Sequence, residues 1–338
     1  FREDFYKRTV NKILKVLLRS GKEIKLTPEH PLLTVEGWKP AETLEEGSRI
    51  ATPRILPTFG NQSLRDCEVK LMAYLLTEGH LSNQFVLFSN MDSIIKEEFF
   101  EAVSQFGPNL TICEHSKPGN YRVKQIKKKT DTSFLVRNNK GQFTLGSRIL
   151  IKKSSLMEWL ISLGIYGKKS AAKFIPNPFL QLPKEQIAVL LNRMFSCDGS
   201  IYPINSRKQN WGISYSSSSQ QMIRQIQHLV LRFGILSTLR NKVITTNGKK
   251  FKVFELVVYG ESVLNFISQI GFFGAKAEKA NIAAHEMCGL DRNPNTDTIP
   301  KEVWGQFNVK NWAATGRALG YSSPKSLQST VEYSPSRD

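Results

Sequence analysis

The stretches LMAYLLTEGH (residues 71–80) and LLNRMFSCDGSI (residues 190–201) have the same form: an apolar helical run that ends in an acid followed by glycine. Glu78-Gly79 and Asp198-Gly199 therefore correspond. One such run reads as an ordinary core helix with a C-terminal cap. Two copies point to an internal repeat, and further correspondences follow in the same order. SIIKEEFFEAVSQFG (93–107) matches QMIRQIQHLVLRFG (221–234), each with helical apolar spacing and a Phe-Gly stop. SLMEWLISLGIYGKKSAAK (155–173) then matches SVLNFISQIGFFGAKAEKA (262–280), aligning Gly164 with Gly271 and Gly167 with Gly274.

Between these helices lie candidate strands at 85–88, 121–127, 211–215, 238–245 and 251–259, with Asn247-Gly248 as a hairpin turn between the last two. Each copy reads as helix, strands, helix, strands and closing helix. Ser63 to Asp66 resembles a capping box ahead of the first acidic helix, and Pro183 stands where the second begins. The proline-rich FIPNPFLQLP (174–183) joins the copies.

If the two acidic helices pack together, both C-terminal carboxylates meet at one point, where they repel unless a cation intervenes. A hard divalent ion, Mg2+ or alternatively Mn2+, takes oxygen ligands and is favoured by the negative ends of the helix dipoles. Carboxylate, cation and phosphate then suit metal-assisted phosphodiester hydrolysis. The expected metal site comprises Glu78, Asp198, Gly79 and Gly199.

The chain has 338 residues, with 47 Lys and Arg against 29 Asp and Glu, a net charge of +18 that favours a polyanionic partner. Its four cysteines are scattered and its five histidines lack metal-ligand spacing, which leaves the metal to carboxylates. With neither an apolar run long enough to span a bilayer nor a signal-peptide pattern, a soluble, cytoplasmic protein without a membrane partner is expected.

The two acidic motifs, over residues 71 to 285, resemble the LAGLIDADG homing endonucleases in their two-motif, single-chain form. The resemblance implies an α+β fold, a duplicated αββαββα saddle with pseudo-twofold symmetry. It also implies a monomer that cuts both strands of double-stranded DNA with its paired acids. A basic residue from each half then stands near the scissile phosphate. Lys169 opposite Lys276 is the expected catalytic pair beside Glu78 and Asp198, with Lys168 or Lys173 as alternatives to Lys169. Glu78 replaces a commoner Asp, and Arg193 stands where a small residue usually lets the helices approach, a costly place for an unpaired guanidinium. Strand residues Arg122, Lys124, Lys127 and Lys129 in one half and Arg240, Lys242, Lys250 and Lys252 in the other are the expected DNA contacts.

Residues 1–60 alternate apolar positions as a small all-β domain does. Thr27-Pro-Glu-His30-Pro31, with Gly37-Trp38 after it, resembles the Thr-x-x-His block of intein splicing (Hint) domains, especially those of bacterial replicative helicases. Thr27 and His30 would then be splicing-block residues of a partial domain, with flanking host segments (exteins) as partners in a longer precursor. Because Phe1 is no splicing nucleophile and Asp338 follows no His-Asn pair, splicing by this chain alone is not expected. The expected domains are this segment, repeat 1 at 61–177, repeat 2 at 178–289, and a linker with a small helical segment at 290–338. In that last segment a helix-turn-helix and a plain helical hairpin both fit, with Arg317 and Lys325 as DNA contacts in the former. Two other functions remain open: a silent DNA- or RNA-binding module, and chiefly a fragment of a splicing element.

Overall fold

The structure is a computed structural model that describes residues 9–81, 85–126, 153–205, 209–246, 248–289, 298–306, 309–318 and 334. It divides into two compact units, Phe1–Arg54 with Gly289–Asp338, and Ile55–Cys288. The C-terminal segment thus joins the N-terminal one rather than standing alone, and the two repeats form one body. Among the described residues no helix is long and apolar enough to cross a membrane.

The first unit holds two antiparallel hairpins, β1 (Leu14–Leu17) with β2 (Glu23–Leu26) and β3 (Pro31–Thr34) with β4 (Gly37–Pro40). Gly21 and Gly37 turn the chain with φ of 79° and 102°, where a side chain would be strained. Thr27 and His30 share the turn between the hairpins, since the His30 amide donates to the Thr27 carbonyl at 3.1 Å. Thr27 is half-buried and His30 exposed. A short helix, Trp312–Ala318, belongs to this unit, with exposed Arg317 near its end. The second helix expected there, with Lys325, lies outside the described residues.

In the second unit the first repeat runs α1 (Asp66–Thr77), β5 (Gly79–His80), β6 (Val86–Ser89), α2 (Ser93–Phe106), β7 (Leu110–His115), β8 (Lys117–Gln125) and α3 (Ser155–Ser162). After the short α4 (Asn177–Leu180), the second repeat runs α5 (Lys184–Asp198), β9 (Gly199–Asn205), β10 (Asn210–Ser217), α6 (Gln220–Arg232), β11 (Thr238–Thr246), β12 (Lys249–Tyr259) and α7 (Glu261–Gln269), before α8 (Lys276–Met287). The sheets have matching orders, β5-β6-β8-β7 and β9-β10-β12-β11. Strands β5, β7 and β9 are additional to those read from the sequence, and β8 starts earlier. The first acidic helix begins after Arg65, whose amide donates to Glu68 at 3.1 Å, so the cap lies two residues beyond Ser63. Pro183 precedes α5 as expected, and Gly248 turns β11 into β12 with φ of 74°.

One face of each sheet is covered by helices. Phe88 stacks on Phe99 with centroids 4.0 Å apart, while Phe195 lies 5.0 Å from Tyr215 and 4.6 Å from Phe266. Helices α1 and α5 pack against one another at the centre of a single continuous core. Arg193 does not point outward from this helix pair. Its guanidinium grips Glu98 of α2 in a fork, Nε to Oε2 at 2.6 Å and Nη2 to Oε1 at 2.7 Å, and lies over the Phe273 ring at 4.0 Å. Lys70 at 3.0 Å and the Tyr74 hydroxyl also hold Glu98. Burial would raise the Glu98 carboxyl, but these partners, led by Arg193, take it down to about 2.

Because the fork joins the two repeats and is largely shielded from water, removing one partner strands the other's charge. Glu98→Ala should cost about 3–5 kcal/mol in urea unfolding, whereas the paired change Glu98→Leu with Arg193→Leu should recover most of it. A Glu98→Ala loss below about 1 kcal/mol would show that the fork is not a structural clamp.

Candidate functional site

Apolar side chains cover α1 nearly all round: Leu71, Met72, Ala73, Tyr74, Leu75 and Leu76 are all buried. Near the end of α5, Leu190, Leu191, Met194 and Phe195 are likewise buried, together with the polar Ser196. Each helix stops abruptly because the chain turns straight into a strand across its own last turn. A Cβ on Gly79 would fall 2.3 Å from the Leu75 carbonyl oxygen, and one on Gly199 2.5 Å from that of Phe195. Such approaches admit only glycine. These turns leave Glu78 as the cap of α1 and Asp198 as the last residue of α5.

Glu78 feels both its own burial and the charge of Asp198. Burial pushes the Glu78 carboxyl up to about 7, and the charge of Asp198 adds to that rise. Asp198 keeps an open side to solvent, yet the protein packed round it likewise raises its carboxyl above the usual range. The intervening Cys197 thiol is driven up to about 12, first by burial, and stays neutral.

Two lysines oppose this excess of negative charge. Lys276, the first residue of α8, donates through Nζ to the carbonyls of Cys197 at 2.8 Å and Gly199 at 2.6 Å. Its counterpart is Lys173, whose Nζ donates to Leu75 and Leu76 at 2.9 Å each and to Gly79 at 2.7 Å. Both ammoniums satisfy carbonyls at a helix C-terminus. Burial lowers the Lys173 ammonium to about 8, and lowers that of Lys276.

Lys169 does not occupy this position; it is exposed. After Gly274 the chain enters α8 at once, whereas after Gly167 it makes a 3-10 turn over Ser170–Ala172, and the buried lysine falls one turn later. The carbonyls of Gly79 and Gly199, expected to bind metal, each accept from one of these ammoniums. The carboxylates of Glu78 and Asp198 are the other oxygen donors at this point, and burial is the first cause of the rise in both. Among the described residues no group of three or more His, Cys, Asp and Glu is placed to hold a metal.

Of the expected DNA contacts, Arg122 and Lys124 stand on the sheet face opposite the helices, away from core residues Tyr121 and Val123. The Arg122 guanidinium lies over the Phe85 ring at 3.7 Å. Lys127 and Lys129 lie outside the described residues. In the second repeat the basic residues divide between the faces. Register pairs Arg240 with Glu255 and Lys242 with Val253 on the face away from the helices, while Lys252 pairs with Val243 and Lys250 with Thr245 on the other. Glu255 binds Arg240 at 2.7 Å and Lys242 at 3.1 Å, so this face is more nearly neutral than its counterpart.

Residues 185–271 match the LAGLIDADG-like domain family. This match begins in α5 and includes Asp198. The chain is 27% identical over 302 residues to the replicative DNA helicase DnaB of Rhodothermus marinus, covering 87% of this chain and 30% of that protein. It is 26% identical over 307 residues to the replication factor C small subunit of Methanocaldococcus jannaschii, covering 88% of this chain and 14% of that one. The chain thus spans less than a third of either relative. A solved structure of mesophilic variants of the homing endonuclease I-DmoI aligns with 61% of this chain and 95% of its own, at 8% identity and a TM-score of 0.38.

The raised Glu78 carboxyl has a consequence for stability. Its folded pKa of about 7 exceeds the ordinary 4.5, so the folded chain binds this proton more tightly than the unfolded chain. The penalty for ionisation is absent below the ordinary value, grows as pH rises between the two, and is complete above the folded value. Glu78→Gln should therefore stabilise the cation-free protein at alkaline pH by about 1–3 kcal/mol and leave it unchanged in acid, as followed by denaturant unfolding. Equal stabilisation at both pH extremes would contradict the raised carboxyl.

Proposed function

We propose that the chain is a site-specific endonuclease of the homing class that makes a double-strand break in DNA. The observation that carries this reading is the meeting of Glu78 and Asp198, one from each repeat, at the ends of two packed helices. Two acids in related settings suit two phosphodiesters on opposite strands, with the repeats related by a pseudo-twofold axis and the chain acting as a monomer. The basic face of the first repeat and the net charge of +18 support a nucleic-acid partner.

Glu78 and Asp198 would hold divalent metal, Mg2+ or Mn2+, which when bound supplies charge neutralisation and Lewis acidity at each phosphate. Their own part is to bind it in the ionised state and to accept a proton from the attacking water. That water forms one bond to phosphorus as one ester P–O bond breaks, leaving a phosphomonoester end and a hydroxyl end, the leaving oxygen taking a proton from solvent. Lys173 and Lys276 fix the two helix ends and bring positive charge to where the phosphate gains negative charge.

Similarity to two proteins as different as a replicative helicase and a replication factor C subunit, each much longer than the match, supports an element inserted into host proteins. The turn holding Thr27 and His30 fits part of a splicing domain in such an element, with host segments as its flanks.

The test is cleavage of a duplex spanning the uninterrupted insertion site of the host gene. Linear double-strand products should appear with Mg2+ and vanish with chelator. Lys173→Met and Lys276→Met should each slow cutting by about a hundredfold, and Lys169→Ala should not. Tight specific binding with no cleavage in Mg2+ or Mn2+ would overturn the reading in favour of a binding module.

A further inference from the structure

Glu78 and Asp198 occupy equivalent places, but each receives its hydrogen bond from a different position of the repeat. Sheet register makes the comparison exact to the residue: Gly79 pairs with Phe88, and Gly199 pairs with Tyr215. Phe88 and Tyr215 are therefore counterparts, and both are fully buried. The Tyr215 hydroxyl donates to Asp198 Oδ2 at 3.4 Å. Phe88 has no hydroxyl to offer Glu78.

Two residues further on, the asymmetry reverses. Asn90 Oδ1 accepts from the Asp92 amide at 2.8 Å, and Ser217 Oγ accepts from the Ser219 amide at 3.0 Å. Asp92 and Ser219 in turn cap α2 and α6. Asn90 and Ser217 thus serve the same turn in the two repeats. Asn90 has a second arm, however, and its Nδ2 donates to Glu78 Oε1 at 3.3 Å. Among the described hydrogen bonds, the shorter Ser217 side chain serves the turn without reaching Asp198. The longer side chain of Glu78 reaches toward this amide, beside a cavity of about 300 Å³ lined by Ser89, Asn90, Met91, Gly119 and Asn120. Asp198 is met instead by a hydroxyl rising from the core.

Building on the nuclease reading above, we propose that Asn90 and Tyr215 are positioning residues, each dedicated to one acid, so that the cuts of the two DNA strands can be slowed separately. Both bonds are longer than an average hydrogen bond, and bonds of this kind commonly tighten when substrate and ion are bound. Each donor fixes the direction in which its carboxylate presents its free oxygen. Partners one step behind a metal-binding carboxylate typically contribute tenfold or more to affinity or rate.

The experiment exchanges the residues between repeats. Tyr215→Phe installs the first repeat's residue, and Asn90→Ser installs the second repeat's, which Ser217 shows to be compatible with the turn. The two strands of the insertion-site duplex are labelled with different fluorophores and the rate of cutting each is measured. One variant should slow one strand by about tenfold and the other variant the opposite strand. Equal slowing of both strands by either variant would overturn the assignment, because lost folding or lost DNA affinity affects both cuts alike. Independently of DNA, Mn2+ binding to the chain is followed by electron paramagnetic resonance. Each variant should bind Mn2+ about tenfold more weakly, and unchanged binding in both would overturn the assignment. If the unaltered chain binds Mn2+ but cuts neither strand, the nuclease reading fails and the Mn2+ arm alone decides the role of these two residues.

Discussion

The contact between α1 and α5 sets the position of everything that bears on chemistry in the repeat unit. Each helix buries a run of apolar side chains because it packs on its partner and on its own sheet. Each then ends at a glycine whose missing side chain lets the strand cross back over the last turn. A carboxylate at that point inherits a difficult setting: its own burial, the partner's charge and the negative end of a helix dipole all disfavour ionisation. The fold answers with the buried Lys173 and the half-buried Lys276, yet Glu78 remains raised to about 7. Burial is the first cause of that rise, and the charge of Asp198 the second.

Stability and function pull apart at this point. A core helix pair would be more secure with neutral residues at its ends and with a small residue in place of Arg193. Arg193 is tolerated because Glu98, Tyr74, Lys70 and Phe273 surround it, turning an isolated charge into a fork between the repeats. Such pairs add little net stability over an apolar contact, whereas removing one partner leaves a costly buried charge.

Much of this architecture is legible in the chain itself. Helix-period apolar runs ending in acid-glycine, and the ordered Phe-Gly and Gly-x-x-Gly matches, reveal the duplication and single out Glu78 and Asp198. Local patterns could not reveal what depends on long-range geometry. Lys169 matches Lys276 by spacing from glycine, but a single 3-10 turn makes Lys173 the lysine that bonds the helix-end carbonyls. Arg193 looks unpaired because Glu98 lies in the other repeat. Lys250 and Lys252 look equivalent to Arg240 and Lys242 until the hairpin register puts them on opposite faces. Tyr215 reads as a core aromatic, and only its pairing with Gly199 brings its hydroxyl to Asp198.

The central claim is that acids from two repeats form one electrostatic unit. The most direct measurement is the titration of the Glu78 carboxyl by carbon-13 NMR in the cation-free protein, with and without Asp198→Asn. A midpoint near the raised value of about 7 is expected in the unaltered chain. It should fall partway toward the ordinary range once the Asp198 charge is removed, the remainder being due to burial. An ordinary midpoint in the unaltered chain, or one that Asp198→Asn leaves in place, would contradict it.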